Sequence, residues 1–360
     1  MRSPRLLFLL ACLTQAPLPI HAQAVPDSPL FGGGKVFSQG INSLGNSARF
    51  DQAAQGWYLG WTSGDLKPKD QQAALDGLFT LPALDPAGQS VALSALAEKP
   101  WAQRTLGYSM TFVKTGGIHA SLSREESTGL LASVDADPAH RGSSAALALN
   151  TTTLDVRRSV VNRIITGVGS MANGMAYGIA LRVEDWRWGR EIQALKPGAG
   201  QVPLGPPQEV LNYKTTPEKR FTTTMDGGVV MEAAQGLRVG VTVDRAIPVT
   251  LGDVKERAQF RAGLQIDLGS PAMQLGIEAD LNRAVRMPLP AEQKSASVSL
   301  RILAGPAAEL LVGAERRTVA NVATSAFGAT FHVKLGGFHL GAGLRFSQDR
   351  PPLAFGAKFD

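Results

Sequence analysis

Hydrophobic and polar positions alternate with period two through most of the chain from Phe221 onward. In 257–268 the apolar residues occupy even positions and the polar residues or glycines odd positions, and in 272–282 this is reversed. The same alternation returns in 324–335 and 338–346. Successive side chains of a β-strand point to opposite faces, so a period of two predicts strands. Segments of about ten residues with one apolar face are typical of an outer-membrane β-barrel.

The gaps between the predicted strands alternate in length. The strands predicted from Phe221 onward are 221–232, 236–245, 257–268, 272–282, 296–304, 308–316, 324–335, 338–346 and 353–359. Tight turns fall at 233–235, 269–271, 305–307 and 336–337, and longer connections at 246–256, 283–295, 317–323 and 347–352. Outer-membrane barrels have short periplasmic turns and longer outer loops, whereas a soluble β-sandwich has no reason to sort its loops this way. The sequence therefore predicts an all-β, antiparallel transmembrane β-barrel of about 14 strands, in a range of about 12 to 16.

Two further segments fit an exported barrel. Arg2 and Arg5 precede an apolar run, and Ala22-Gln23-Ala24 has the form of a signal-peptide cleavage site after Ala24. The last strand alternates up to Phe359 and resembles the signal that barrel-assembly machinery recognises, although Asp360 follows it. We therefore expect export, barrel-assembly machinery and outer-membrane lipid as partners, and location in the outer membrane of a Gram-negative-type cell.

The sequence is predicted to divide into a signal peptide at 1–24, an N-terminal plug at 25–88 and the barrel at 89–360. Residues 25–88 are rich in glycine and small residues and cannot build a core of their own. A short helix is predicted near 70–79. Further strands are predicted near 89–97, 105–114, 117–124, 144–152, 158–168 and 174–184, with Asn173-Gly174 as a hairpin turn. The proline-rich segment 185–220 is predicted to be the longest outer loop.

Composition narrows the possible partners. The chain has 36 Lys and Arg against 30 Asp and Glu, and charged residues make up 18%, compared with about 25% in soluble domains. No run of five basic residues occurs, and aromatic residues do not interleave with basic ones. This argues against nucleic-acid binding.

Candidate chemistry is sparse. There is no G-x-S-x-G motif, and Gly32-Gly33-Gly34-Lys35 lacks the Ser or Thr of a phosphate loop. The only cysteine, Cys12, lies in the predicted signal peptide. We expect no enzyme activity, no metal site and no cofactor.

Polar residues on the strands are predicted to face the lumen. They are Arg261, Asp267, Glu278, Asp280, His332, Lys334, His339 and Arg345. The turn at 269–271 predicts a register that pairs Arg261 with Asp280, Gly263 with Glu278 and Asp267 with Gln274, because a one-residue slip would put polar side chains on the apolar face.

An exported chain with a glycine-rich N-terminal segment and a 14-strand-sized alternating region resembles the FadL-like superfamily of outer-membrane barrels. That superfamily includes long-chain fatty-acid transporters and the TraF-like plasmid-transfer barrels. The resemblance implies that the N-terminal segment plugs the lumen. An Asn-Pro pair is frequent in that segment; this chain has none, so no binding residue is carried over.

Three functions follow as hypotheses. The first is a passive channel for small, hydrophobic solutes, gated by the N-terminal segment. The second is a structural or interaction component of an envelope transfer or secretion apparatus, using 185–220 or the plug as a contact surface. The third is a soluble periplasmic β-protein.

Overall fold

The computed structural model describes residues 56–66, 86–114, 118–141, 149–194, 215–269, 272–304, 308–335, 338–346 and 353–359. Most of them belong to β-strands. The strands are β1 (Gly56–Leu66), β2 (Trp101–Lys114), β3 (Ile118–Ser133), β4 (Thr153–Ala172), β5 (Met175–Ala194), β6 (Glu218–Ala234), β7 (Leu237–Asp244), β8 (Val249–Leu251), β9 (Val254–Glu256), β10 (Gln259–Asp267), β11 (Met273–Asp280), β12 (Ala284–Arg286), β13 (Leu289–Leu303), β14 (Ala308–Val319), β15 (Val322–Leu335), β16 (Phe338–Phe346) and β17 (Leu353–Phe359). The helices are α1 (Pro86–Glu98) and a 3-10 turn at Pro138–Arg141.

The sheet closes on itself. Each main strand pairs antiparallel with its neighbours, β1 pairs with both β2 and β17, and β11 pairs with both β10 and β13. Among the described residues, fourteen strands form this ring, because β8 and β9 make a separate hairpin and β12 pairs only with β13. Closure leaves no unpaired edge, as a barrel requires. The predicted antiparallel β-barrel is confirmed, and the ring lies within the predicted strand range.

The two faces of the wall differ as predicted. Phe260 and Ile277 are each 45% exposed on the outside, whereas Arg261 and Glu278 on the inside are 3% and 2% exposed. Apolar side chains outside and polar side chains inside suit a barrel surrounded by lipid. The structure therefore confirms which members of the alternation face outward.

The connections sort by length between the two ends of the barrel. One end carries tight turns, such as Asn173-Gly174, whose positive φ angles of 53° and 71° match the predicted hairpin turn. The other end carries the longer connections, and we refer to it as the outer end. The predicted long loop at 317–323 is wrong: β14 and β15 continue to a two-residue turn at Ala320-Asn321, with φ angles of 49° and 64°. An alanine at positive φ gives no turn signal in a sequence.

The N-terminal boundaries also differ from the prediction. Residues 56–66, expected in the plug, form β1 and complete the wall. The predicted strand at 89–97 is instead part of α1, so the boundary at 89 falls within a helix. Its alternating alanines and leucines are strong helix formers, and Ala92, Leu93 and Leu96 are buried on one side.

Two other strand predictions need correction. Residues 149–152 of the predicted strand 144–152 are not in a strand, and 142–148 lie outside the described residues. The predicted loop 185–220 is also too long, because β5 continues to Ala194 and β6 begins at Glu218. Alternation continues there through inward-facing Glu184 and Trp186, which are 0% and 2% exposed.

Several predictions stay untested. The signal peptide with its cleavage after Ala24, the helix near 70–79 and most of the plug lie outside the described residues. In the parts of the chain that are described, no helix is long and apolar enough to cross a membrane.

Candidate functional site

The predicted lumen-facing residues of β10 and β11 lie on one inner face. Arg261 Nε donates to Asp280 Oδ1 at 2.9 Å, and Arg261 Nη1 is 3.4 Å from Glu278 Oε2. Nearer the tight turn, Asp267 Oδ2 accepts from Arg238 Nη2 at 3.3 Å. The predicted backbone register of this hairpin is confirmed pair by pair.

The other four predicted residues lie on β15 and β16. Lys334 pairs with His339 in the backbone register, His332 pairs with Gly341, and Arg345 pairs with Gly328. His332 and His339 are thus diagonal neighbours. The side chains of these four residues are outside the described part of the structure.

A feature that the sequence did not predict lies at the outer end, where the connection 245–258 folds inward. Its short strands β8 and β9 pair as a hairpin around Gly252, which has a positive φ of 61°. Val249, Leu251 and Val254 are 4%, 0% and 2% exposed. They pack against inward-facing side chains of β4 and β5, Val161 and Trp186. We refer to residues 245–258 as the mouth hairpin.

An ion pair fastens the first residue of the mouth hairpin to the barrel interior. Arg245 donates to both carboxylate oxygens of Glu184, at 2.6 and 2.8 Å. Arg245 Nε is also 2.8 Å from Glu256 Oε2, which joins the two ends of the hairpin. Burial acts to lower the pKa of Arg245, but the carboxylates of Glu256 and Glu184 overcome this and raise it. Arg245 therefore stays charged.

Glu184 is the centre of this group. Besides Arg245, it accepts from Arg163 Nε at 2.9 Å and from Trp186 Nε1 at 2.9 Å. The guanidinium carbons of Arg163 and Arg245 lie 5.7 and 5.3 Å from the centroid of the Trp186 ring, within cation–π range. One fully buried carboxylate thus has two arginines and an indole as donors, so its charge is compensated.

The tip of the mouth hairpin reaches a second group on the wall. Asp253 accepts from Arg157 Nη2 at 2.8 Å, and its Oδ2 is 3.1 Å from Arg190 Nη1. The hydrogen bonds from Arg157 hold the pKa of Asp253 below its ordinary value. The tip is therefore an ionised carboxylate clamped between two arginines.

A second bridge spans the outer mouth. β3 and β13 lie on opposite sides of the ring, yet Leu289 at the start of β13 approaches Gly129 of β3. A Cβ built on Gly129 would lie 2.9 Å from Leu289 Cδ2 and 2.9 Å from Pro288 Cγ. Leu289 is fully buried and packs against Trp101 and Val319. Glycine at 129 permits this close approach, so the described outer mouth is bridged from wall to wall.

The arrangement suits a closed entrance better than a reaction site. Among the described residues, no three His, Cys, Asp or Glu side chains are grouped to hold a metal ion. One signal in the sequence was not used: charged Arg245 and Glu256 bracket an apolar stretch in and beside 246–256, which was predicted to be one of the longer outer connections. An apolar stretch in a loop indicates burial against another element.

Comparisons with known proteins give a fold. No protein-family model matches the chain, and no curated protein matches its sequence. The deltaS2 mutant of the TodX monoaromatic hydrocarbon channel is 10% identical, with a TM-score of 0.54 over 95% of this chain and 100% of that chain. The Pseudomonas putida toluene transporter TodX is 10% identical, with a TM-score of 0.53 over 89% and 93%. The CymD monoaromatic hydrocarbon channel is 12% identical, with a TM-score of 0.51 over 94% and 98%. Since these likenesses cover almost the whole of each chain, the protein has the barrel fold of these channels, in agreement with the β-barrel that its sequence predicted.

Proposed function

We propose that the chain is a passive channel for small, hydrophobic solutes in an outer membrane, and that the mouth hairpin is its outer gate. The observation that carries this proposal is a barrel with the fold of hydrocarbon channels whose outer mouth is occupied by an apolar, salt-bridged hairpin. Passive transport of this kind needs a path and a gate, and it requires neither a catalytic residue nor a cofactor.

The apolar side of the mouth hairpin supports a hydrophobic solute. Leu251 and Val254 pack with Trp186, Val161 and Met287 at the entrance. When the hairpin moves outward, these side chains lose their partners and present an apolar surface. Apolar solutes favour such a surface over water because burying apolar area is worth about 25 cal/mol per Å².

The ion pairs of the hairpin support a gate that opens. Buried ion pairs lose much of their Coulombic attraction to desolvation, so exchanging them for hydrated charges costs little net free energy. Arg245, the first residue of the mouth hairpin, has a positive φ of 56°, an uncommon backbone conformation for a residue other than glycine. A closed hairpin held by compensated charges as well as by apolar packing can thus exchange with an open state.

Location and assembly complete the proposal. The outward apolar face requires lipid around the barrel. We infer that residues 1–24 direct export, that cleavage follows Ala24, and that barrel-assembly machinery inserts the chain into the outer membrane. Within the predicted plug 25–88, we propose that the residues that precede β1 act as the plug.

The test is transport by the full chain. Purified protein in planar bilayers is expected to conduct in short openings, and cells that produce it are expected to take up radiolabelled toluene faster than cells without it. The test variant is Asp253→Asn, which removes the charge at the hairpin tip and is expected to open more often than the wild type. No conductance and no added uptake, together with a protein partner that co-purifies, would instead support the structural component of a transfer apparatus.

A further inference from the structure

The outer surface of the barrel carries a groove of about 530 Å³ across β2 to β6. It is lined chiefly by outward-facing side chains, among them Tyr108, Met110, Leu122, Ile164, Val183 and Phe221. Leu122, Ile164 and Phe221 are 49%, 53% and 67% exposed, so this apolar concavity faces the surroundings of the barrel rather than its interior. We refer to it as the wall groove.

The wall groove lies where the outward face changes from apolar to charged. On β5 the outward residues proceed from Ile179 through Leu181 to Val183, and the next is Asp185. On β3 Leu122 is followed on the same face by Arg124. In a barrel surrounded by lipid, such a change marks the boundary between acyl chains and headgroups.

The charged residues beside the wall groove are mainly cations. Arg124 and Arg158 both pair with Glu126, at 2.8 and 2.6 Å. On the neighbouring strands, Lys219 Nζ lies 3.7 Å from Asp185.

Arg187 shares the same carboxylate, 4.0 Å away. Four cations thus pair with two carboxylates, those of Glu126 and Asp185. The side chains of Arg124, Arg187 and Lys219 are 51%, 54% and 63% exposed. Guanidinium and ammonium groups that keep exposed donors bind phosphate oxygens well.

We propose that the wall groove binds a phosphorylated lipid of the surrounding leaflet, with an acyl chain in the groove and a phosphate on the cations. Apolar walls beside an excess of positive charge match a lipid with an anionic headgroup, and an uncharged hydrocarbon would leave the cations unused. This binding is independent of the proposed channel activity, so either can fail without the other.

Native mass spectrometry of the purified full chain in detergent tests the proposal, with diphosphorylated lipid A as the probe and phosphatidylcholine as the comparison. The wild-type chain is expected to retain lipid A about tenfold better than phosphatidylcholine. Arg124→Gln with Lys219→Gln is expected to remove that preference. The matched control is Arg316→Gln, an exposed arginine on β14, opposite β4 in the ring, and it is expected to keep it.

A second variant tests the groove itself. Asn162→Trp places a large side chain among the lining residues and is expected to reduce lipid A retention while the heat-modifiable migration of a folded barrel is unchanged. Displacement of lipid A by millimolar inorganic phosphate would overturn the proposal, because the groove would then add nothing to the phosphate contact. Unchanged retention in both the double variant and Asn162→Trp would also overturn it.

Discussion

Arg261 and Asp280 face each other across the β10–β11 hairpin, with Arg261 Nε 2.9 Å from Asp280 Oδ1. Their side chains are 4% and 2% exposed. Asp280 also accepts from the Ser295 hydroxyl at 2.9 Å, which ties the pair to β13. A one-residue slip of β10 would turn Arg261 toward lipid, so this ion pair opposes misregistration of the hairpin.

Arg261→Met is expected to destabilise the barrel by about 3 kcal/mol, because it leaves the carboxylates of Asp280 and Glu278 buried without their cation. Urea unfolding of the protein in detergent micelles measures the change. Arg316→Met is the control: this exposed arginine is expected to contribute less than about 1 kcal/mol. Equal losses of unfolding free energy in the two variants would show that the Arg261 ion pair stabilises the barrel no more than an exposed arginine does.

The wall of the barrel could be predicted because the alternation within each strand shows which of its residues face outward. Parity of the apolar positions in 257–268 and 272–282 assigns the faces, and the turn between them sets the register. α1 shows the limit of this reasoning. A segment of alanines and leucines fits a period of two as well as a helical face, and burial of Leu93 and Leu96 decides for the helix.

The mouth hairpin could not be predicted because contacts distant in sequence hold it. Arg245 and Glu184 are 61 residues apart, and neither residue's neighbours indicate that they meet. Alternation states which face of a strand is inside, but it does not say that a connection folds back over the opening. The assignment of lumen-facing residues therefore found the pairs on β10 and β11 and missed the group around Glu184.

The free-energy cost of an arginine on the outer face should depend on its depth in the membrane. Ile277→Arg, in the middle of β11, is expected to cost about 2–4 kcal/mol, whereas Leu281→Arg just beyond its outer end is expected to cost about 0–1 kcal/mol. Both residues are exposed, at 45% and 64%, so burial does not explain the difference. Folding free energies in lipid vesicles provide the comparison, and equal costs would argue against lipid contact.

Glu184→Gln is expected to increase the open probability in planar bilayers severalfold, because the amide pairs weakly with the Arg245 and Arg163 guanidinium groups. The control is Glu309→Gln, which disturbs another inner ion pair, 2.9 Å from Arg301, remote from the mouth hairpin. We expect the open probability of Glu309→Gln to match that of the wild type. The same increase in both variants would mean that general loosening, rather than the hairpin, sets the open probability.

Acid should release the hairpin tip, but only well below neutral pH. Hydrogen bonds from Arg157 lower the pKa of Asp253 from its ordinary value of 3.8. A lowered pKa means that the contact is fully present above the ordinary value and is lost as the pH falls through the lowered one. The contribution of Asp253 to open probability is expected to appear as a rise below about pH 4. Asp253→Asn should remove this rise; a rise that persists in the variant would assign it to another group.

The most direct test of passage through the outer mouth is a disulfide across it, between Gly129→Cys and Leu289→Cys. A Cβ on residue 129 lies 3.2 Å from Leu289 Cγ, the atom in whose place a cysteine sulfur would lie, so two cysteines at these positions are within reach of each other. The one native cysteine, Cys12, is in the predicted signal peptide. Toluene uptake by cells producing the oxidised double variant is predicted to fall to the level of cells without the protein and to recover on reduction, while Leu289→Cys alone is unaffected. Undiminished uptake with the disulfide fully formed would contradict passage through the outer mouth.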